Sequence, residues 1–199
     1  MMSALRALAL LAALCSLAGC QSSPATRYFT LSEVAPASAR PGTPSAGLAL
    51  QVERVTIPGE LDRLEIARHG ESNQLRIATF ELWAAPLDGM IRRIVSEDLA
   101  ARLAPGSVAS ANEPVGDQQR RLYLDIQDFA GNERGTVNLR TAWLLKAPDG
   151  AESRGVEAVS ADANDASADA LAAAMSRALG LLADRLSVML SAQPGTKSE

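Results

Sequence analysis

Histidine occurs once in this chain, as His69, and cysteine twice, as Cys15 and Cys20. A zinc site of ordinary type takes three or four ligands from His, Cys or carboxylates, so this composition makes one implausible. A Ser–His–acid triad would have to use His69, and no serine stands in the G-x-S-x-G setting of a nucleophile elbow. His69 precedes Gly70 at an expected turn and reads as a solvated loop residue. P-loop and glycine-rich dinucleotide fingerprints are missing. Asp125 and Asp128 show no partner that would make a paired-carboxylate site. Basic runs are missing too: 19 Lys and Arg stand against 23 Asp and Glu, a net charge of −4. That balance argues against nucleic acid as a partner and against electrostatic attachment to a membrane. The expectation is a protein that is not an enzyme, holds no cofactor or metal, and works by binding, scaffolding or assembly.

What is present begins at the N-terminus. Residues 1–6 carry one positive side chain, Arg6, and residues 7–17 are apolar. The apolar stretch falls short of the roughly 20 residues that cross a bilayer and fits the h-region of an export signal. It closes on Leu17-Ala18-Gly19-Cys20. This run resembles the lipobox of bacterial lipoproteins, in which small residues admit the peptidase and the thiol takes a diacylglyceryl group. Residues 1–19 are therefore expected to be a signal peptide. Cys20 is the expected lipidation site, bearing S-diacylglycerol and N-acyl groups. More than one chain on one residue gives stable anchoring. Cys15 leaves with the signal and Cys20 is consumed by lipid, so no disulfide is expected. Gln21, rather than Asp, follows the cysteine, which favours the periplasmic face of the outer membrane.

Residues 20–27 form the lipidated terminus and tether, and 28–190 one domain. Residues 191–199 are expected to be a disordered tail. A short strand is expected at 27–31. The Pro- and Ala-rich stretch 32–47 reads as a flexible loop that leaves the tether length open. Alternating apolar positions predict strands at 48–57, 64–68, 75–83, 122–127, 137–145 and 153–160, and a weaker one at 107–111. Pro86 opens a helix as its first residue, with Leu87, Ile91, Ile94, Val95, Leu99 and Leu103 on one stripe. Asp88, Arg92, Arg93, Glu97 and Asp98 fall mostly away from that stripe. Leu171, Met175, Leu179, Leu182, Leu186 and Met189 mark a second helix over 167–190.

Several segments carry a family resemblance. Tyr28-Phe29-Thr30-Leu31 comes first. Val52 to Pro58 follows, ahead of Leu61-Asp62-Arg63. Leu82-Trp83-Ala84-Ala85-Pro86-Leu87-Asp88 is the sharpest. Phe129 with Gly131, then Gly135-Thr136-Val137 and Trp143-Leu144-Leu145, complete the set. In this order behind a lipobox the chain resembles the PqiC/YmbA family of transport auxiliary lipoproteins. The resemblance implies an α/β fold: a three-layer domain with a mixed, largely antiparallel sheet and two main amphipathic helices. It implies an outer-membrane-anchored, periplasmic auxiliary subunit that works with an MCE-domain protein and its inner-membrane permease, or with an ABC transporter, in moving lipid between membranes. Homo-oligomeric rings are compatible with it. Trp83, Pro86, Leu87, Gly131 and Trp143, the motif residues, are expected to be structural. The alternative is a structural or assembly lipoprotein of the cell envelope without a transport role.

Overall fold

The computed structural model describes residues 24–36, 49–113 and 116–192. Seven strands form one sheet: β1 (Arg27–Phe29), β2 (Leu50–Thr56), β3 (Glu65–His69), β4 (Leu75–Trp83), β5 (Arg120–Asn132), β6 (Thr136–Lys146) and β7 (Glu152–Asp162). Helix α1 (Leu87–Arg102) follows β4, and α2 (Ala168–Ala192) closes the domain. The strand order is β1-β4-β3-β5-β6-β7, with β2 also beside β5. β5 is long enough to take both neighbours on one edge. β2 runs parallel to its first half, from Arg120 to Asp125, and β3 parallel to its end, at Gly131 and Asn132. The β5–β6 and β6–β7 ladders are antiparallel, turned by glycines of positive φ at Gly135 and Gly150.

The α/β class, the mixed sheet and the two helices are as expected. Both helices pack against each other and over a single face. α1 lies on β2, and α2 lies on β5, β6 and β7. Among the described residues the arrangement is thus one sheet under one helical layer, simpler than the three layers the resemblance implied. The opposite face of β2, β5, β6 and β7 carries Arg54, Thr56, Asp125, Lys146 and Arg154, all exposed. Such a face offers a second helix little apolar area to bury.

The covered face holds the core. Leu50, Val52, Ile91, Ile94, Val95, Leu99, Phe129, Val137, Leu179 and Leu182 are fully buried. Leu171, Met175 and Leu186 join them, whereas Met189 at the helix end is partly exposed. Residues 107–111 form no strand, only a single bridge between Val108 and Leu50. Leu48, most of the 32–47 loop and residues 193–199 lie outside the described residues, while Ser191 and Ala192 continue α2.

Candidate functional site

The lipobox residues Leu17, Ala18, Gly19 and Cys20 lie outside the described residues. From β1 onward the chain is anchored on the domain. β1 adds to the sheet beside β4, with Phe29 opposite Trp83, and Arg27 pairs with Asp169 at the start of α2. Beyond β1 the backbone is clamped to both helices. The Ser32 amide donates to Ser176 Oγ at 3.1 Å, and the Val34 amide to Asp98 Oδ1 at 2.8 Å. Arg102 Nη1 donates to the Val34 carbonyl at 3.0 Å, and its Nε meets Asp184 Oδ1 at 2.7 Å.

Asp98 is the centre of this clamp and is fully buried, contrary to its expected place off the apolar stripe. The stripe widens here because the β1 segment crosses the side of α1. Burial pushes the Asp98 carboxyl up to about 6, and the nearby Glu33 and Asp184 push the same way. The Val34 amide and the Arg102 guanidinium, 3.5 Å away, pull it down. The signal was present in sequence: Asp98 and Arg102 are four residues apart in a helix, the spacing of facing ion pairs.

The motif residues occupy packed or capping positions. Trp83 is 3% exposed and its amide donates to the Leu64 carbonyl, tying β4 to the chain before β3. Pro86 is the N-cap of α1 rather than its first helical residue, since its ψ of 132° is extended; it still accepts the Met90 amide. Leu87, the first helical residue, is 3% exposed. Gly131 lies in β5 instead of the turn after it, and α2 passes so close that an added Cβ would sit 2.3 Å from Leu171 Cδ1. Trp143 lays its ring on Gly155, where a Cβ would come within 2.7 Å of the ring. Its Nε1 is buried without a hydrogen-bond partner.

His69 and Asp128, unpartnered in sequence, are brought together across β3 and β5, with Nε2 3.1 Å from Oδ1. The imidazole is half exposed, and its hydrogen-bond partner is the Asp128 carboxylate. No group of three or more His, Cys, Asp or Glu side chains among the described residues could hold a metal ion. Nor is any described helix long and apolar enough to cross a membrane.

One concavity lies on the open face of the sheet, a groove of about 480 Å³. Cross-strand register builds it from two rows. One row reads Arg54, Tyr123, Leu144, Arg154; the next reads Thr56, Asp125, Ala142, Val156. Val156 is 54% exposed. Tyr28, Ile77 and Phe80 are exposed as well, and β1 pairs with β4 only at Glu81 to Trp83.

Residues 29–187 match the model of the ABC-type transport auxiliary lipoprotein component family. The chain belongs to that family. The Escherichia coli (strain K12) protein named intermembrane transport lipoprotein PqiC is 30% identical over 129 residues, 65% of this chain and 68% of the relative; the Shigella flexneri PqiC matches equally. The family fold is also seen in crystal structures of two distant proteins. One, an uncharacterized protein, superposes with a TM-score of 0.71 at 20% identity, over 84% of this chain and 99% of its own. The other, XCC0632 from Xanthomonas campestris, does so at 0.66 and 16%, over 84% and 100%. Trp83, Pro86, Leu87, Gly131 and Trp143 all fall within the matched span.

Proposed function

We infer that this protein is lipidated on Cys20, anchored at the periplasmic face of the outer membrane, and acts as a non-enzymatic auxiliary subunit of an MCE-type inter-membrane lipid transport system. The observation that carries this reading is the family match over residues 29–187, together with the 30% identity to a relative named as an intermembrane transport lipoprotein. The clamp on Ser32 and Val34 supports it physically. Because β1 is docked on the domain, only the seven residues from Gln21 to Arg27 span from the anchor cysteine to the sheet. At roughly 3.5 Å per extended residue they hold the domain within about 25 Å of the bilayer surface. The loop that follows β1 adds nothing to that reach. A partner must therefore come to the membrane to meet this domain.

The expected partner is an MCE-domain protein encoded nearby, with its inner-membrane permease. Photo-crosslinkers at Tyr28, Ile77, Phe80 and Val188, the last exposed on α2, should capture it in the full chain. Loss of either protein should sensitise cells to detergent equally, and the double mutant should be no worse than the worse single one. Cys20→Ser should leave the precursor uncut and remove it from the outer membrane. Additive phenotypes with no crosslink at any of these positions would hand the role to an envelope-assembly lipoprotein instead.

A further inference from the structure

The open-face groove has a polarity along the strands. At one end Arg54 on β2 and Arg154 on β7 flank Tyr123 and Leu144. One row further out, Arg121 and Lys146 face the same side, against the single carboxylate of Glu152. Glu152 is shared by Lys146 and Arg154, at 3.0 and 2.9 Å. Arg54 and Arg121 form no ion pair among the described residues. At the other end the floor is Ala142 and Val156, with Asp125 as the one carboxylate lining the groove. Within the lining of the groove both cations, Arg54 and Arg154, thus stand at one end, in a chain whose net charge is −4.

The floor also limits what can bind there. β5 and β6 are paired on both edges along this stretch, so they present no free backbone donors or acceptors to a peptide. Hydrocarbon needs none. A groove of about 480 Å³ is within the range of small-ligand sites, roughly 300–1,000 Å³.

We propose that this groove binds one phospholipid molecule, its phosphate between Arg54 and Arg154 and an acyl chain along Leu144, Ala142 and Val156. Guanidinium groups match phosphate oxygens by paired hydrogen bonds, and the apolar row shields hydrocarbon from water. The inference rests on the reading of the chain as a lipid-transport subunit and gives that subunit direct contact with the cargo.

The test uses the full lipidated chain in nanodiscs with a phospholipid that carries a diazirine in its acyl chain. Irradiation and peptide mass spectrometry should place adducts on residues 142–144 and 154–156. Arg54→Glu with Arg154→Glu, or Val156→Asp, should reduce those adducts at least fivefold while the melting point holds. A diazirine-bearing diacylglycerol, which has no phosphate, should label at least fivefold less than the phospholipid. Absence of adducts in both segments, or equal labelling by diacylglycerol, overturns the proposal. So does a crosslinker at Val156 that captures a protein, whether a partner or a second copy. The MCE crosslink separates the two ideas. A wild-type chain that captures the MCE protein but never labels in the groove defeats the groove alone. A chain that never captures it, with additive phenotypes, defeats the underlying reading, whatever the lipid result.

Discussion

β5 carries both faces of the molecule in one strand. Leu122, Leu124 and Ile126 lie under the helices and are at most 2% exposed. Tyr123, Asp125 and Gln127, between them, face the open side. Side chains alternate with a period of two, so one strand can place its stability on one face and leave the other free. The covered face is apolar and dense, and a change there is felt through the whole core. The open face is held by its backbone ladders and tolerates charge. The lesson is a division of labour: the helices need one face, and selection for binding can act on the other with little loss of fold.

The largest expected difference comes from a charge on the covered face. Ile94 is fully buried on α1. Ile94→Asp should abolish the cooperative melt, because an unpaired buried charge costs several kcal/mol, comparable to a domain's whole stability. A folded variant with an unchanged melting point would erase the contrast between the faces.

Asp98 sharpens the comparison by being the charge the covered side already holds. An unfolded aspartate titrates near 3.9, whereas the buried Asp98 carboxyl is pushed up to about 6. A raised value means the folded state favours the proton. That contribution is full below about pH 4 and is lost as pH rises through 6, an effect of about 3 kcal/mol. Asp98→Asn keeps an acceptor for the Val34 amide and cannot ionise. Melting points of the two chains from pH 4 to 7 should therefore diverge in the variant's favour as pH rises. Parallel profiles would show that the clamp tolerates the ionised carboxyl without cost.

Gly131→Ala should have a smaller effect. Its Cβ would press on Leu171 Cδ1, and shifting that side chain should cost about 1–3 kcal/mol. For a domain of this size each kcal/mol lowers the melting point by roughly 2–4 °C. No change on calorimetry would mean that α2 has room to stand off the sheet. The smallest effect belongs to the open face. Val156→Ser, at a side chain 54% exposed, should stay within about 0.5 kcal/mol by urea denaturation. A larger loss would show that the open face carries stability too.

Much of the fold was legible in the sequence because its periods are clean. The 3.6-residue stripe from Leu87 to Leu99 and the alternation through Leu122, Leu124 and Ile126 each name an element and its buried side. The motifs around Trp83 and Gly131 identified the family, although Gly131 proved to be a close-approach residue within β5 and Pro86 a cap. Less of the site could be read. Asp98 looked solvated because helical spacing places a residue relative to its own helix, and the segment that buries it comes from 64 positions earlier in the chain. His69 and Asp128, 59 residues apart, showed no sign of each other.

The sequence by itself determined the elements, their apolar faces, the family, and the lipobox that predicts a tethered domain, because each of these is written in neighbouring residues. Tertiary structure alone decided that both helices share one face, that the chain after β1 is clamped between α1 and α2, and that Arg54, Tyr123, Leu144 and Arg154 stand in one row. Those facts depend on strand register and on side chains meeting across long sequence separations. Local propensity and period carry no record of either.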